Sequence, residues 1–305
     1  MKALKTLSYE RTDRVARITL NRPARGNGIT LDMPRELAAS VEAANLDPEV
    51  HVIALSGNGT GFCGGYDLVV SAEGKGSPDL AESSVPAGSP LDPLVLMKNH
   101  LPGETWDPTV DYAMMSRNAR GFMSLFHSDK PVVCKVHGFC VAGGTDMALC
   151  SDLLVIADDA KIGYPPARVW GVPTTAVWVH RIGLEKAKRL LFTGDCLSGT
   201  EAVAWGLAIE AAPRAELDAR FESLLGRIAR MPVNQLIMMK LLVNQTLYAQ
   251  GLHATQILGT VFDGITRHTA EGYAFARQAA DEGFRAAVRG RDEPFGDAGR
   301  STFKG

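Results

Sequence analysis

Asp146 stands three residues after Gly143 in the run Ala142-Gly-Gly-Thr-Asp146, and an earlier glycine pair lies in Phe62-Cys-Gly-Gly-Tyr-Asp67. A glycine turn leading from strand to helix leaves backbone N–H groups free to face an oxygen that carries charge. Glycine lets the main chain come close to a ligand with no Cβ in the way. On a helix, Asp146 would share a side with Gly143. An N–H donor beside an acid is the pair needed to stabilise an enolate and move its proton. The blander role for Asp146 is an acid that favours the dipole at a helix N-terminus.

Gly59-Thr-Gly61-Phe-Cys-Gly64 also fits GxGxxG. A dinucleotide fold needs a second strand and an acid about 20 residues further on. The chain instead runs there into a stretch rich in Ser, Pro, Gly and Ala. Two glycine loops together favour an oxyanion hole over a mere turn. Cys63 has no histidine placed by motif to activate it, so packing outweighs a nucleophilic role. His137, between strand and turn, reads as structural. Trp106, Trp170 and Trp178 read as packing or pocket wall. Arg285, Arg289 and Arg291 form a solvated face. No GxSxG or HExxH occurs.

Around these residues the pattern predicts a hairpin from Thr6–Glu10 and Val15–Asn21, a helix from Met33 to Asn45 and a strand from His51 to Leu55. The chain from 70 to 95 lacks periodicity and reads as a long loop, followed by a lid-like part to Asp111. Tyr112–Phe126 is helical, Pro131–Val136 a strand, Thr145–Cys150 a helix and Leu153–Ala157 a strand. A helix starts near Thr174, another runs from Gly183 to Phe192, and a third follows a turn after Thr193. Past Glu216 the pattern is helical: Leu217–Arg230, Val233–Gln250, Thr255–Arg267 and Glu271–Arg289. The fold class is therefore α/β, an alternating part over 1–215 and an all-helical part over 216–305.

The 305 residues are 46% hydrophobic and 22% charged, with a net charge of −2. Such a balance gives no reason to expect nucleic acid or an anionic membrane as partner. The longest apolar runs fall short of a membrane span, and the first residues lack the apolar core of a signal peptide. Five scattered cysteines show no metal spacing, which points to reduced thiols, no metal and a cytoplasmic location.

The motifs, taken together and in order, resemble the enoyl-CoA hydratase/isomerase family, the crotonase superfamily. The resemblance rests on Ile18-Thr-Leu-Asn-Arg-Pro23, Phe62 to Asp67, Lys130-Pro-Val with His137-Gly138 and Ala142 to Asp146, Thr193-Gly-Asp with Ala202 to Gly206, and Glu282-Gly-Phe with Pro294-Phe295. It implies a spiral of ββα units with a helical C-terminal trimerisation region, and a homotrimer or dimer of trimers. It implies a coenzyme A thioester as substrate with no further cofactor. By position in the motifs, the amides of Gly64 and Gly143 would hold the thioester oxygen and Asp146 would be the acid. The ligand would lie along Cys63, Gly64, Gly65, Tyr66, Asp67 and Leu68, near Arg25 and Tyr164. Two departures stand out. The family's first glutamate falls on Asp146, and its second falls on Pro166, which transfers no proton. Water addition to a trans-2-enoyl-CoA is the leading expectation. Double-bond isomerisation, hydrolysis of a cyclic β-keto thioester and silent acyl-CoA binding are the alternatives. Asp107, Glu104, Tyr112, Tyr164 and Arg168 are candidates to replace the lost acid.

Overall fold

A computed structural model describes residues 4–67 and 85–296 of the chain. Strands β1 (Leu7–Thr12) and β2 (Val15–Leu20) pair antiparallel, turning at Asp13, whose φ of 52° a short polar side chain tolerates. β2 buries Ala16, Ile18 and Leu20 on one face and leaves Arg17 and Thr19 half-buried on the other. Parallel partners follow: β3 (Val52–Gly57), β4 (Val132–Val136), β6 (Leu153–Ala157) and β9 (Glu210–Ala212), giving the order β1-β2-β3-β4-β6-β9. A smaller sheet holds β5 (Phe139–Val141), β7 (Lys161–Gly163) and β8 (Cys196–Leu197). Its strands are two or three residues long, too short to leave a period in the sequence, and none was expected there.

β4 and β6 of the long sheet each lead straight into a strand of the small one. After β4 and β5 comes a short helix, so the chain steps between layers as ββα units. Helix α1 (Met33–Leu46) buries Met33, Leu37, Val41 and Ala44 at helical spacing. In the insertion, α2 (Pro93–Asn99) and α3 (Pro108–His127) are capped by the carboxylates of Asp92 and Asp107. α3 starts four residues ahead of the expected Tyr112 for that reason. The short α4 (Gly143–Ala148) begins at the glycine pair itself.

Beyond it lie α5 (Trp178–Ile182), α6 (Leu184–Thr193) and α7 (Gly199–Trp205), the last held by a Ser198–Glu201 capping box. The helical part comprises α8 (Leu217–Ala229), α9 (Val233–Ala249), α10 (Leu252–Arg267), α11 (Ala270–Glu282) and α12 (Phe284–Asp292). The single helix expected over Glu271–Arg289 is two helices, because Gly283 at φ 90° breaks the run. Leu217, Phe221 and Leu225 of α8 share the main core with the sheet, while Phe275, Ala279 and Ala287 form a satellite core. Among the described residues no helix is long and apolar enough to cross a membrane.

Candidate active site

The two glycine loops meet because the small sheet continues through them. Cys63 pairs with Cys140 of β5: the Cys63 N–H donates to the Phe139 carbonyl at 3.1 Å, and the Val141 N–H to the Cys63 carbonyl at 3.0 Å. One step on, Tyr66 pairs with Ile29 through the Ile29 N–H on the Gly65 carbonyl (2.9 Å) and the Asp67 N–H on the Ile29 carbonyl (3.0 Å). In such a ladder alternate amides face opposite ways, so the Tyr66 N–H points away from Ile29.

Gly65 has φ 96°, and a Cβ there would stand 2.7 Å from the Ala142 Cβ. Ala142 itself holds φ 55°, ψ −131°, a conformation costing a side-chain residue about 1–3 kcal/mol. The Thr145 N–H and hydroxyl, both on the Ala142 carbonyl (2.9 and 2.6 Å), fix that turn. The Tyr66 ring then packs on Gly143, where a Cβ would meet Cε2 at 2.7 Å.

The amides decide which groups are free. Gly64, expected to hold the thioester oxygen, donates its N–H to the Gly26 carbonyl at 2.9 Å, so that expectation is corrected. Among the described residues, the N–H groups of Tyr66 and Gly143 have no backbone acceptor. In the first loop the amides without a backbone acceptor are thus those of Gly65 and Tyr66, beyond Gly64, and the ladder to Ile29 turns the Tyr66 N–H away from it, a shift that motif position alone did not reveal.

Asp146 sits in the first turn of α4 with 1% of its surface exposed. Its Oδ1 accepts from the Thr175 hydroxyl (2.8 Å) and N–H (3.4 Å), and its Oδ2 has no partner. Burial pushes its carboxyl up to about 7; the Thr175 bonds oppose this and the Asp263 charge adds to it. An acid with one oxygen anchored, the other unpartnered and a pKa near neutrality is suited to proton transfer.

Pro166 lies in a short 3-10 turn, Pro165–Arg168. Of the candidates to replace the lost acid, Asp107 caps α3, Glu104 pairs with Lys98 at the surface (3.8 Å), and Tyr112 is exposed. Arg168 is engaged by Asp195 and Asp292 and lies over the Phe295 ring at 3.9 Å. Those four are engaged by other partners or exposed. Tyr164 is buried, and its phenol is pushed well above its ordinary pKa by burial first and then by Asp146.

A second carboxylate was not foreseen. Asp263 on α10 is buried, and its Oδ1 accepts from the Val172 N–H at 3.1 Å. That oxygen and the Tyr164 hydroxyl lie 3.8 and 3.7 Å from the point a Gly171 Cβ would occupy. One loop, Gly171 to Thr175, therefore holds both acids. An acid amid the apolar run from Ile257 to Ile265 was a signal for it.

Arg22 and Arg25 clamp Asp67 (2.9 and 2.8 Å). Burial works against the Asp67 charge, yet the two guanidiniums hold its carboxyl below its usual range. The clamp ties Asp67 to the turn that carries both arginines. The Cys63 thiol turns inward onto the Asn27 carbonyl (3.2 Å), and burial pushes it up to about 12, far from a nucleophile. The His137 imidazole bonds the Gly59 carbonyl at 2.9 Å, a structural role. Leu68 lies outside the described residues.

The model of the enoyl-CoA hydratase/isomerase family matches residues 10–87 and 108–278, and the chain belongs to that family. It superposes on the crystal structure of an enoyl-CoA hydratase from Mycobacterium smegmatis with a TM-score of 0.91, at 57% identity over 98% of each chain. The Mycobacterium tuberculosis relative EchA13 is 30% identical over 259 residues, 81% of this chain and 76% of its own. The crotonyl-CoA hydratase of Syntrophomonas wolfei is 24% identical over 96% of this chain and 98% of its own.

Proposed function

We propose that the protein adds water to a trans-2-enoyl-CoA. The thioester oxygen lies between the N–H groups of Tyr66 and Gly143, which stabilise the charge that develops on it by about 3–4 kcal/mol per donor. Asp146 takes a proton from the attacking water and returns one at the α-carbon. The observation that carries this reading is Asp146 itself, buried, with Oδ2 unpartnered and a pKa near 7 beside two amides without an acceptor. Membership of the family supports the acyl-CoA substrate. The chemistry uses no cofactor beyond the coenzyme A carried by the substrate.

A second reading, double-bond isomerisation, is favoured by Pro166. A single carboxylate can remove a proton at one carbon and return it at another without a second acid. Loss of enoyl-thioester absorbance decides between the two. Hydration removes the conjugated chromophore from trans-2-enoyl-CoA, and Asp146→Asn abolishes that loss. If absorbance is unchanged with trans-2 substrates yet rises with trans-3 substrates, hydration is wrong and isomerisation is right.

We further place the chain in the cytoplasm as a homotrimer or a dimer of trimers. Met238, Met239, Leu241, Leu242 and Val243 on α9 are all about half or more exposed in the single chain, an apolar face that a second copy would cover.

A further inference from the structure

Outside this site, the insertion and the C-terminal helices bring three metal-ligating side chains together. His100 follows α2, Asp111 lies in the first turn of α3, and His268 ends α10. One ligand atom from each lies within 4.8 Å of the other two. The His100 Nε2 is 3.2 Å from the Asp111 Oδ1, and the His268 Nε2 is 3.0 Å from the Asp111 Oδ2. Donor atoms bound to one zinc-sized ion at about 2.0–2.2 Å stand roughly 3–3.5 Å apart, and each imidazole already stands at such a distance from one oxygen of the shared carboxylate, His100 from Oδ1 and His268 from Oδ2.

The hydrogen bonds behind the imidazoles point the same way. The His100 Nδ1 is 2.8 Å from the Leu96 carbonyl. A carbonyl only accepts, so this nitrogen carries the ring proton. With Nδ1 held there, Nε2 is left to face the Asp111 carboxylate. The His268 Nδ1 is 2.9 Å from the Tyr273 hydroxyl, which likewise fixes the ring so that Nε2 faces the cluster. Ligating histidines are oriented by their second nitrogen in this manner.

Asp111 is 1% exposed and its two oxygens are treated differently. Oδ2 receives the Trp106 Nε1–H (2.7 Å) and the Asn99 amide (3.1 Å). Oδ1, on the His100 side, has no hydrogen bond. The Arg267 guanidinium stands 3.6 Å from it, beyond hydrogen-bond range, and is turned to Asp263. The His100 side chain is 31% exposed, which gives an ion a way in and water a place as fourth ligand.

We propose that His100, Asp111 and His268 form a binding site for a divalent ion of the zinc class. Two imidazoles and one carboxylate suit such a cation better than magnesium or calcium, which prefer oxygen throughout. The ion ties the insertion to α10, whose Asp263 borders the Asp146 pocket. The site stands independently of which reaction that pocket performs.

The test uses the full chain freed of metal by a chelator, titrated with Co²⁺ by visible absorption and with Zn²⁺ by calorimetry. The expected result is one ion per chain, with visible bands of nitrogen and oxygen ligation and a raised melting temperature. His100→Ala, at a partly exposed position, abolishes this uptake, and Tyr273→Phe weakens it about tenfold by loosening the His268 ring. Absence of saturable uptake overturns the proposal, and so does equal uptake by His100→Ala. In either case His100 is a hydrogen-bond partner of Asp111 and no more.

Discussion

At the scale of single residues the proposed chemistry rests on Asp146, and its burial makes two measurable claims. Its folded pKa of about 7 lies above the 3.8 ordinary for an aspartate, so the folded protein holds a proton that the unfolded chain has lost between these values. The stability tied to that proton is full below about pH 4 and is gone once pH has risen through about 7, at a cost of roughly 4 kcal/mol. Asp146→Asn carries no such charge. Its melting temperature should gain on the parent's from pH 4 to pH 7 and keep a constant lead above, while turnover is lost. A lead that does not vary with pH would contradict the buried charge. In the proposed reaction the carboxylate is the base, so kcat/KM should fall on the acid side of about pH 7. Thr175→Val removes a hydrogen bond that favours the carboxylate and should move that limb upward in pH.

At the scale of elements, the site depends on one contact between two loops. Gly65 and Ala142 touch so closely that a methyl on Gly65 would stand 2.7 Å from the Ala142 Cβ, and φ 96° is itself unfavourable for alanine. Gly65→Ala should part the Tyr66 and Gly143 amides and lower kcat on the order of 100-fold with the fold intact, as read from steady-state kinetics beside circular dichroism. A variant with unchanged kcat would show that these amides are not the oxyanion donors. Helix α9 has its own anchor. The buried Lys240 ammonium donates to the Leu125 and Lys130 carbonyls (2.9 and 3.1 Å) and pairs with Asp152 at 2.9 Å. Lys240→Met leaves those acceptors unmet and should cost about 3 kcal/mol in denaturant unfolding. A loss under 1 kcal/mol would mean water replaces the ammonium freely.

The exposed apolar face of α9 is a property of the whole molecule. Leu242 is 70% exposed in the single chain. Sedimentation should return three or six times the mass of one chain, and Leu242→Arg should shift it towards one by putting charge into an apolar contact. A parent that sediments as a single chain would remove the trimer reading.

The sequence alone determined the elements whose burial leaves a period. α1, α3, β2, β3, β4 and β6 were legible because apolar residues recur at 3.6 or run unbroken at strand length. It also determined the family, through motifs whose order the chain keeps, and it located Asp146 and Gly143 beside a strand-to-helix turn. Tertiary structure decided the rest. β5, β7 and β8 are too short for periodicity, and their pairing depends on partners far along the chain. Which amide of Phe62–Asp67 is free depends on what lies opposite: Gly26 occupies the Gly64 N–H, whereas the ladder to Ile29 turns the Tyr66 N–H outward. Asp263 meets Gly171 and Tyr164 from more than ninety positions away and His268 meets Asp111 from 157, and no local spacing foretells such meetings, though the acid within the Ile257–Ile265 run marks Asp263 itself. The pKa of Asp146 is likewise a tertiary quantity, because it is set mainly by burial among distant segments.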